Sequence, residues 1–270
     1  SRTENAGKKQ GAAPHMNLTH AIQALKLGWI QENIDGELAD ATRKERTHRQ
    51  FVERLLAGEF ESRAAHAAQR RLRAARIPAV TTLAGFDFNW PTGINQPLVR
   101  HICTLDFMKE KANVVSIGGT GLGKTHLALV LGEQACQRNN RVLFTTAQDM
   151  FTTLAAAQSV GALHKAMRRY TAAHLLVIDA LGMFGVDKAA AGPPFQILCA
   201  RYEKASTVIT TNYPSKEWWK IRNSDATTSS VVLDRLLHRS ETVLIEGRSY
   251  RMKNRMEETW PLGKSSPMHD

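Results

Sequence analysis

Val114-Val115-Ser116-Ile117-Gly118-Gly119-Thr120-Gly121-Leu122-Gly123-Lys124-Thr125 passes from a short β-branched run, through a glycine-rich turn, into a helical stretch that continues to Arg138. Gly118, Gly123, Lys124 and Thr125 fit the pattern G-x-x-x-x-G-K-[ST] without a mismatch, and the strand before and helix after supply the context this pattern needs. Glycines let the backbone wrap closely enough for several N–H groups to point inward at a phosphate, and the helix starting near Lys124 adds the positive end of its dipole. Lys124 is placed to reach the β- and γ-phosphates, and Thr125 to give a hydroxyl to Mg²⁺. The expected nucleotide-binding set is Gly118, Gly119, Thr120, Gly121, Leu122, Gly123, Lys124 and Thr125 with the adjoining His126, and the expected cofactors are ATP and Mg²⁺.

Outward from this loop, Val142-Leu143-Phe144, Leu175-Leu176-Val177-Ile178 and Thr207-Val208-Ile209-Thr210 alternate with helical segments. Short continuous β-branched runs separated by helices predict an α/β fold whose central parallel sheet is flanked by helices on both faces. Ligands sit at the carboxyl ends of such strands. Asp179 closes one of them, about fifty residues after the glycine loop, and is the expected metal ligand opposite Thr125. A final pair of runs, Thr242 to Ile245 and Ser249 to Met252, is separated by Glu246-Gly247-Arg248 and predicts a hairpin.

Toward the amino end, Ile22, Leu25, Ile30 and Ile34, then Phe51, Leu55 and Leu56, recur at helical spacing in a highly charged stretch. Ile77-Pro78 and the aromatic run Phe86-Asp87-Phe88-Asn89-Trp90-Pro91 break that pattern and predict a linker docking onto the next domain. The expected organisation is a leader over 1–15, a small helical domain over 16–80, the nucleotide-binding domain over 81–255 and a tail over 256–270. Lysine and arginine number 36 against 25 acidic residues, and the formal charge of +11 favours polyanionic partners such as nucleic acid. Cys103, Cys136 and Cys199 are odd in number, far apart and in apolar surroundings, which predicts buried thiols rather than disulfides or a zinc site. No apolar run reaches the roughly 18 residues of a membrane span, and the leader SRTENAGKKQGAAPH has no signal-peptide core, so a cytoplasmic protein is expected.

With the phosphate loop and Asp179 in place, three further stretches resemble the IstB family of AAA+ helper ATPases of insertion-sequence transposition. These are Cys199 to Asn212, Glu217-Trp218, and Leu233-Asp234-Arg235-Leu236-Leu237-His238. The family is similar to the helicase loader DnaC and, more distantly, to the initiator DnaA. The resemblance spans Asn17 to about Lys253. It implies a P-loop AAA+ module, an ATPase activity, assembly into a homo-oligomer on duplex DNA, and recruitment of a partner transposase.

It also implies that Asn212 is the sensor residue near the γ-phosphate, Arg235 an arginine finger reaching a neighbouring subunit, and Arg251 a second sensor. A strand-closing Asn is otherwise an ordinary turn former, and an exposed arginine an ordinary surface charge. The departure is Ala180, where the family has a Glu that activates water. Losing a positioned base costs about 10²- to 10⁴-fold in rate, so ATP is expected to bind well and turn over poorly. An engineered replacement is the favoured explanation, and a natural variant with another base the alternative. A replicative helicase loader and a non-hydrolysing ATP-gated DNA scaffold are the alternative functions.

Two basic faces are candidates for DNA. Lys165, Arg168 and Arg169 lie at i, i+3 and i+4 of a second helix between Thr145 and Leu175, resembling the insertion of the initiator and loader branch. Arg70 and Arg73, with Arg76 one turn on, form the other. Neither has aromatics spaced for base stacking, so contact with the phosphate backbone, without sequence choice, is expected.

Overall fold

The alternation of β-branched runs and helices becomes a sheet whose strand order fixes where the glycine loop emerges. In the computed structural model the described residues are 17–79, 81–181, 192–213 and 236–250. They divide into two compact units, the boundary falling between Ala67 and Ala68.

The first unit contains α1 (Leu18–Ala24), α2 (Gly28–Arg43) and most of α3 (His48–Ala75). Asn17 caps α1 by accepting from the His20 amide at 2.7 Å. The indole of Trp29 lies so close over Gly58 that any Cβ there would collide with it. Glu59, 6% exposed, accepts from the Ile30 amide at 3.1 Å and from Arg63 Nε at 2.7 Å. A polar clasp thus fixes α2 on α3, with both of the buried Glu59 oxygens partnered.

The second unit begins inside α3, because Ala75 is fully buried in its core and Leu72 and Ile77 pack against it. Arg76 leaves the helix with φ +59°, so it does not share a helical face with Arg70 and Arg73 as the spacing alone implied. Six strands make one sheet among the described residues: β1 (Gly93–Ile94), β2 (Asn113–Gly118), β3 (Val142–Thr146), β4 (Leu175–Leu181), β5 (Ser206–Thr211) and β6 (Ser240–Glu246). Their order is β1-β6-β2-β5-β4-β3, all parallel except β1 on β6. The expected hairpin is not the partner of Thr242 to Ile245. That run inserts parallel to β2 and takes the two-residue β1 on its other side at Ile245 and Glu246, so both of its flanks there are paired.

Successive residues on a strand face opposite sides of the sheet. Val114, Val177, Val208 and Val243 meet Leu127, Val130 and Leu131 of α6 (Lys124–Gln137). Val115, Ile117, Leu176, Ile178 and Ile209 meet the other layer, made by α7 (Ala147–Ser159), α8 (Leu163–Thr171) and α9 (Gly192–Arg201). Two helices do occupy the interval between β3 and β4, and α7 is the first of them. Thr146 is its N-cap and accepts from the Asp149 amide at 3.0 Å. The short helices α4 (Gln96–Ile102) and α5 (Asp106–Lys109) close the edge near β6.

Candidate functional site

The phosphate loop leaves the carboxyl end of β2, in the middle of the sheet, and its glycines are required by what surrounds them. A Cβ on Gly118 would run into the Ile245 carbonyl of β6. Gly123 has φ +90°, and a Cβ there would lie 2.5 Å from the Phe86 ring. Gly123 is also the N-cap of α6 and offers no side chain to its first-turn amides, so those donors suit a phosphate oxygen. Lys124 is 7% exposed and donates to the Gly119 carbonyl at 2.6 Å, which sets its ammonium within the turn of the loop.

Opposite the loop, four residues on three elements are linked. The Thr125 hydroxyl lies 2.9 and 3.1 Å from the two carboxylate oxygens of Asp179. Thr210, on the adjacent β5, donates to Asp179 Oδ1 at 2.5 Å, and its hydroxyl accepts from the Ala180 amide at 2.8 Å. A hydroxyl facing a carboxylate is the hard-oxygen donor set that Mg²⁺ takes. Thr210 is a positioning residue that the sequence reading missed: a Thr within a β-branched strand carries no distinguishing signal.

Ala180 itself has φ +59° and falls at a register shift between β4 and β5, so the strand kinks directly after Asp179. A residue with a Cβ is disfavoured in that conformation by about 1–2 kcal/mol. Across the loop, Asn212 Nδ2 donates to the Thr120 hydroxyl at 3.2 Å, which brings the expected sensor residue to the phosphate loop.

Beside the loop is a cavity of about 240 Å³, walled by Phe86, Trp90 and Tyr250 on one side and the loop and start of α6 on the other. Trp90 and Tyr250 meet edge to face at 5.7 Å, and Trp90 Nε1 donates to the Arg248 carbonyl at 2.9 Å. The Tyr250 amide donates to the Gly121 carbonyl at 2.8 Å. An aromatic-walled cavity next to a phosphate cradle suits a purine. From the sequence the Phe86 to Pro91 run is expected to dock a linker, and nothing in its pattern links it with the nucleotide. An aromatic cluster announces contact, not what it contacts. His126 belongs to this wall rather than to the phosphates: its ring lies 5.8 Å from that of Phe86, and its Nε2 is 3.0 Å from the Thr82 carbonyl. A carbonyl only accepts, so Nε2 carries the proton.

Farther away, Lys165, Arg168 and Arg169 are exposed on α8, and no carboxylate pairs with them among the described residues. Arg70 and Arg73 are exposed on the last turns of α3, whereas Arg71 between them turns inward and donates to the Cys136 carbonyl at 2.7 Å. Cys103 and Cys136 are buried, and burial pushes the Cys136 thiol up to about 11, outweighing nearby Arg71. Such thiols are inert. Cys199 is only half-buried.

Residues 20–258 match the model of a family described as IstB-like ATP-binding proteins. The chain belongs to that family. An IS21 insertion-sequence ATP-binding protein of Pseudomonas aeruginosa is 33% identical over 249 residues, 92% of this chain and 94% of that one. An IS5376 ATP-binding protein of Geobacillus stearothermophilus is 32% identical, covering 77% and 83%. A solved DNA replication initiation factor shares the fold, with a TM-score of 0.52 and 22% identity over 69% of this chain and 57% of that one.

Within this IstB-like protein the structure brings Gly118 to Thr125, Asp179 and Asn212 together as one site, and leaves α8 and the end of α3 outside it. Arg235 and Arg251, with Glu217-Trp218, lie outside the described residues. Among the described residues no helix is long and apolar enough to cross a membrane.

Proposed function

We propose that this IstB-like chain is an ATP-gated DNA-binding protein of insertion-sequence transposition, which holds ATP between subunits, hydrolyses it poorly, and presents bound duplex DNA to a partner transposase. The observation that carries the reading is the linked set Thr125, Asp179 and Thr210 ending in Ala180: a hydroxyl and carboxylate suited to a metal beside the phosphate loop, followed by a methyl group where water would be activated.

The amides of the loop and of the start of α6, with the Lys124 ammonium, take the phosphate charge. Thr125 and Asp179 would hold Mg²⁺, which supplies further charge neutralisation on the phosphates. Phe86, Trp90 and Tyr250 enclose the base. Asn212, tied to Thr120, is set to sense the terminal phosphate. Ala180 has no group that accepts a proton, so the residues that bind are retained while the step that removes a proton from water lacks its base.

Assembly follows from Arg235, acting on the ATP of the next subunit as a planar, always-charged fork, with Arg251 as the sensor from within the same chain. The cations of α8, which pair with no carboxylate among the described residues, and Arg70 with Arg73, take the phosphate backbone of duplex DNA without reading sequence. Relatives named for insertion sequences favour transposition over helicase loading.

Single-turnover ATP hydrolysis in the presence of DNA tests this. The Ala180→Glu variant is expected to hydrolyse about 10²-fold or more faster than the parent chain, with ATP affinity unchanged. Equal rates in the two chains would refute the reading.

A further inference from the structure

At the amino edge of the sheet, opposite the phosphate loop, five adjacent parallel strands are each preceded within two residues by a basic side chain. In spatial order these are Arg239 before β6, Lys111 before β2, Lys204 before β5, His174 before β4 and Arg141 before β3. Such a row is invisible in the sequence, where its members are scattered over more than a hundred positions. Neighbouring strands lie about 4.8 Å apart, so the row runs for roughly 19 Å. At about 3.4 Å per nucleotide, that is the rise of five to six nucleotides along one strand of a duplex.

The row is also open. Lys111, Lys204, His174 and Arg141 are exposed and have no ion pair among the described residues. Glu203 and Glu110 are the acids beside it in sequence, and Glu203 faces Arg239 at a loose 3.8 Å. His174 is surrounded by cations: burial holds its imidazole below the ordinary 6.5, and Arg141, Lys111 and the buried Arg201 push in the same direction.

The row joins the face already described. One guanidinium nitrogen of Arg141 donates to the Ala172 carbonyl at 3.2 Å, just past the end of α8, while the Arg141 carbonyl accepts from the His174 amide at 2.8 Å. Arg141 therefore stands between α8 and the edge, and its other guanidinium nitrogens bond no side chain or carbonyl among the described residues.

We infer that this edge is a second phosphate track for duplex DNA, continuous with α8, in which Lys111, Lys204, His174 and Arg141 contact the sugar-phosphate backbone. It rests on the DNA-binding reading above and extends it to a surface remote from ATP. Because the track is built on the starts of sheet strands, its contribution is the same with and without nucleotide. Phosphates brought to His174 reverse the effect of its cationic neighbours, so binding takes up a proton and tightens as pH falls.

The test measures affinity of the full chain for a fluorescent random-sequence duplex across a salt series, with ATP affinity as the check on folding. Lys111→Gln and Lys204→Gln are each expected to weaken DNA binding about five- to tenfold near 0.1 M salt and to lower the log–log salt slope by about 0.9. The tightening between about pH 8 and pH 6 should vanish in His174→Gln. If the edge variants keep the parent slope while Lys165→Gln, Arg168→Gln and Arg169→Gln together lower it, the track is refuted and the DNA-binding reading stands. If neither set changes the slope, both fall.

Discussion

The cations of the first unit and those of α8 look alike in composition but differ in what they face. In the first unit Arg43, Lys44 and Arg46 close on Asp40, Arg46 and Arg54 on Glu37, Arg49 on Glu53 and Arg63 on Glu59. On α8 Lys165, Arg168 and Arg169 face solvent with no carboxylate partner among the described residues. Charge already neutralised by a neighbour gives little to a polyanion, while unpaired charge displaces counterions on binding. The surplus charge of +11 is therefore not spread evenly over the molecule as an attraction for DNA.

The contrast breaks most clearly if both kinds of cation matter equally. Replacing Lys165, Arg168 and Arg169 together by Gln is expected to weaken duplex binding by about 10²- to 10³-fold near 0.1 M salt, with a salt slope lower by about 2.7. Arg49→Gln, by comparison, should leave affinity within about twofold, since Arg49 is engaged by Glu53 at 2.9 Å. A comparable loss from Arg49→Gln, read by the same titration, would end the distinction.

A smaller effect sharpens it by separating the nucleotide site from both groups of charge. Phe86→Ala removes an aromatic wall of the cavity, and calorimetry should find ATP bound about tenfold more weakly, with inorganic tripolyphosphate bound as before. Equal losses for both ligands would mean that Phe86 acts on the loop through Gly123 rather than on the base.

The smallest effect concerns what the paired cations do instead. Hydrogen bonds from Lys44 and Arg43 hold the Asp40 carboxyl at about 2, below its ordinary 3.8. A carboxylate lowered on folding stabilises above its unfolded value and loses that contribution as pH falls from about 4 toward 2. Asp40→Asn should lower the unfolding temperature slightly at neutral pH and not at all near pH 2. A difference that persists in acid would assign the effect to something other than charge.

How much of this the sequence disclosed depends on whether a feature is local. The phosphate loop and the strand–helix alternation are local patterns with one physical solution, and both form as expected, with Asp179 set opposite Thr125. The pairing of Thr242 to Ile245 is not local: a hairpin and a parallel insertion beside β2 satisfy the same alternation, and it is the insertion that forms. Arg76 fails its helical spacing because α3 ends one residue earlier. Phe86, Trp90 and Tyr250 come from opposite ends of the nucleotide-binding unit, and no spacing rule joins them. Thr210 acts only through its register with β4.

The measurement that bears most directly on the account is the identity of the nucleotide in the assembled state. Protein incubated with ATP, Mg²⁺ and duplex DNA is recovered as the DNA-bound complex after many minutes, and its nucleotide is extracted and separated by chromatography. ATP is expected, nearly all of it intact, with ADP in the complex formed by Ala180→Glu. Stoichiometric ADP in the parent complex would contradict it.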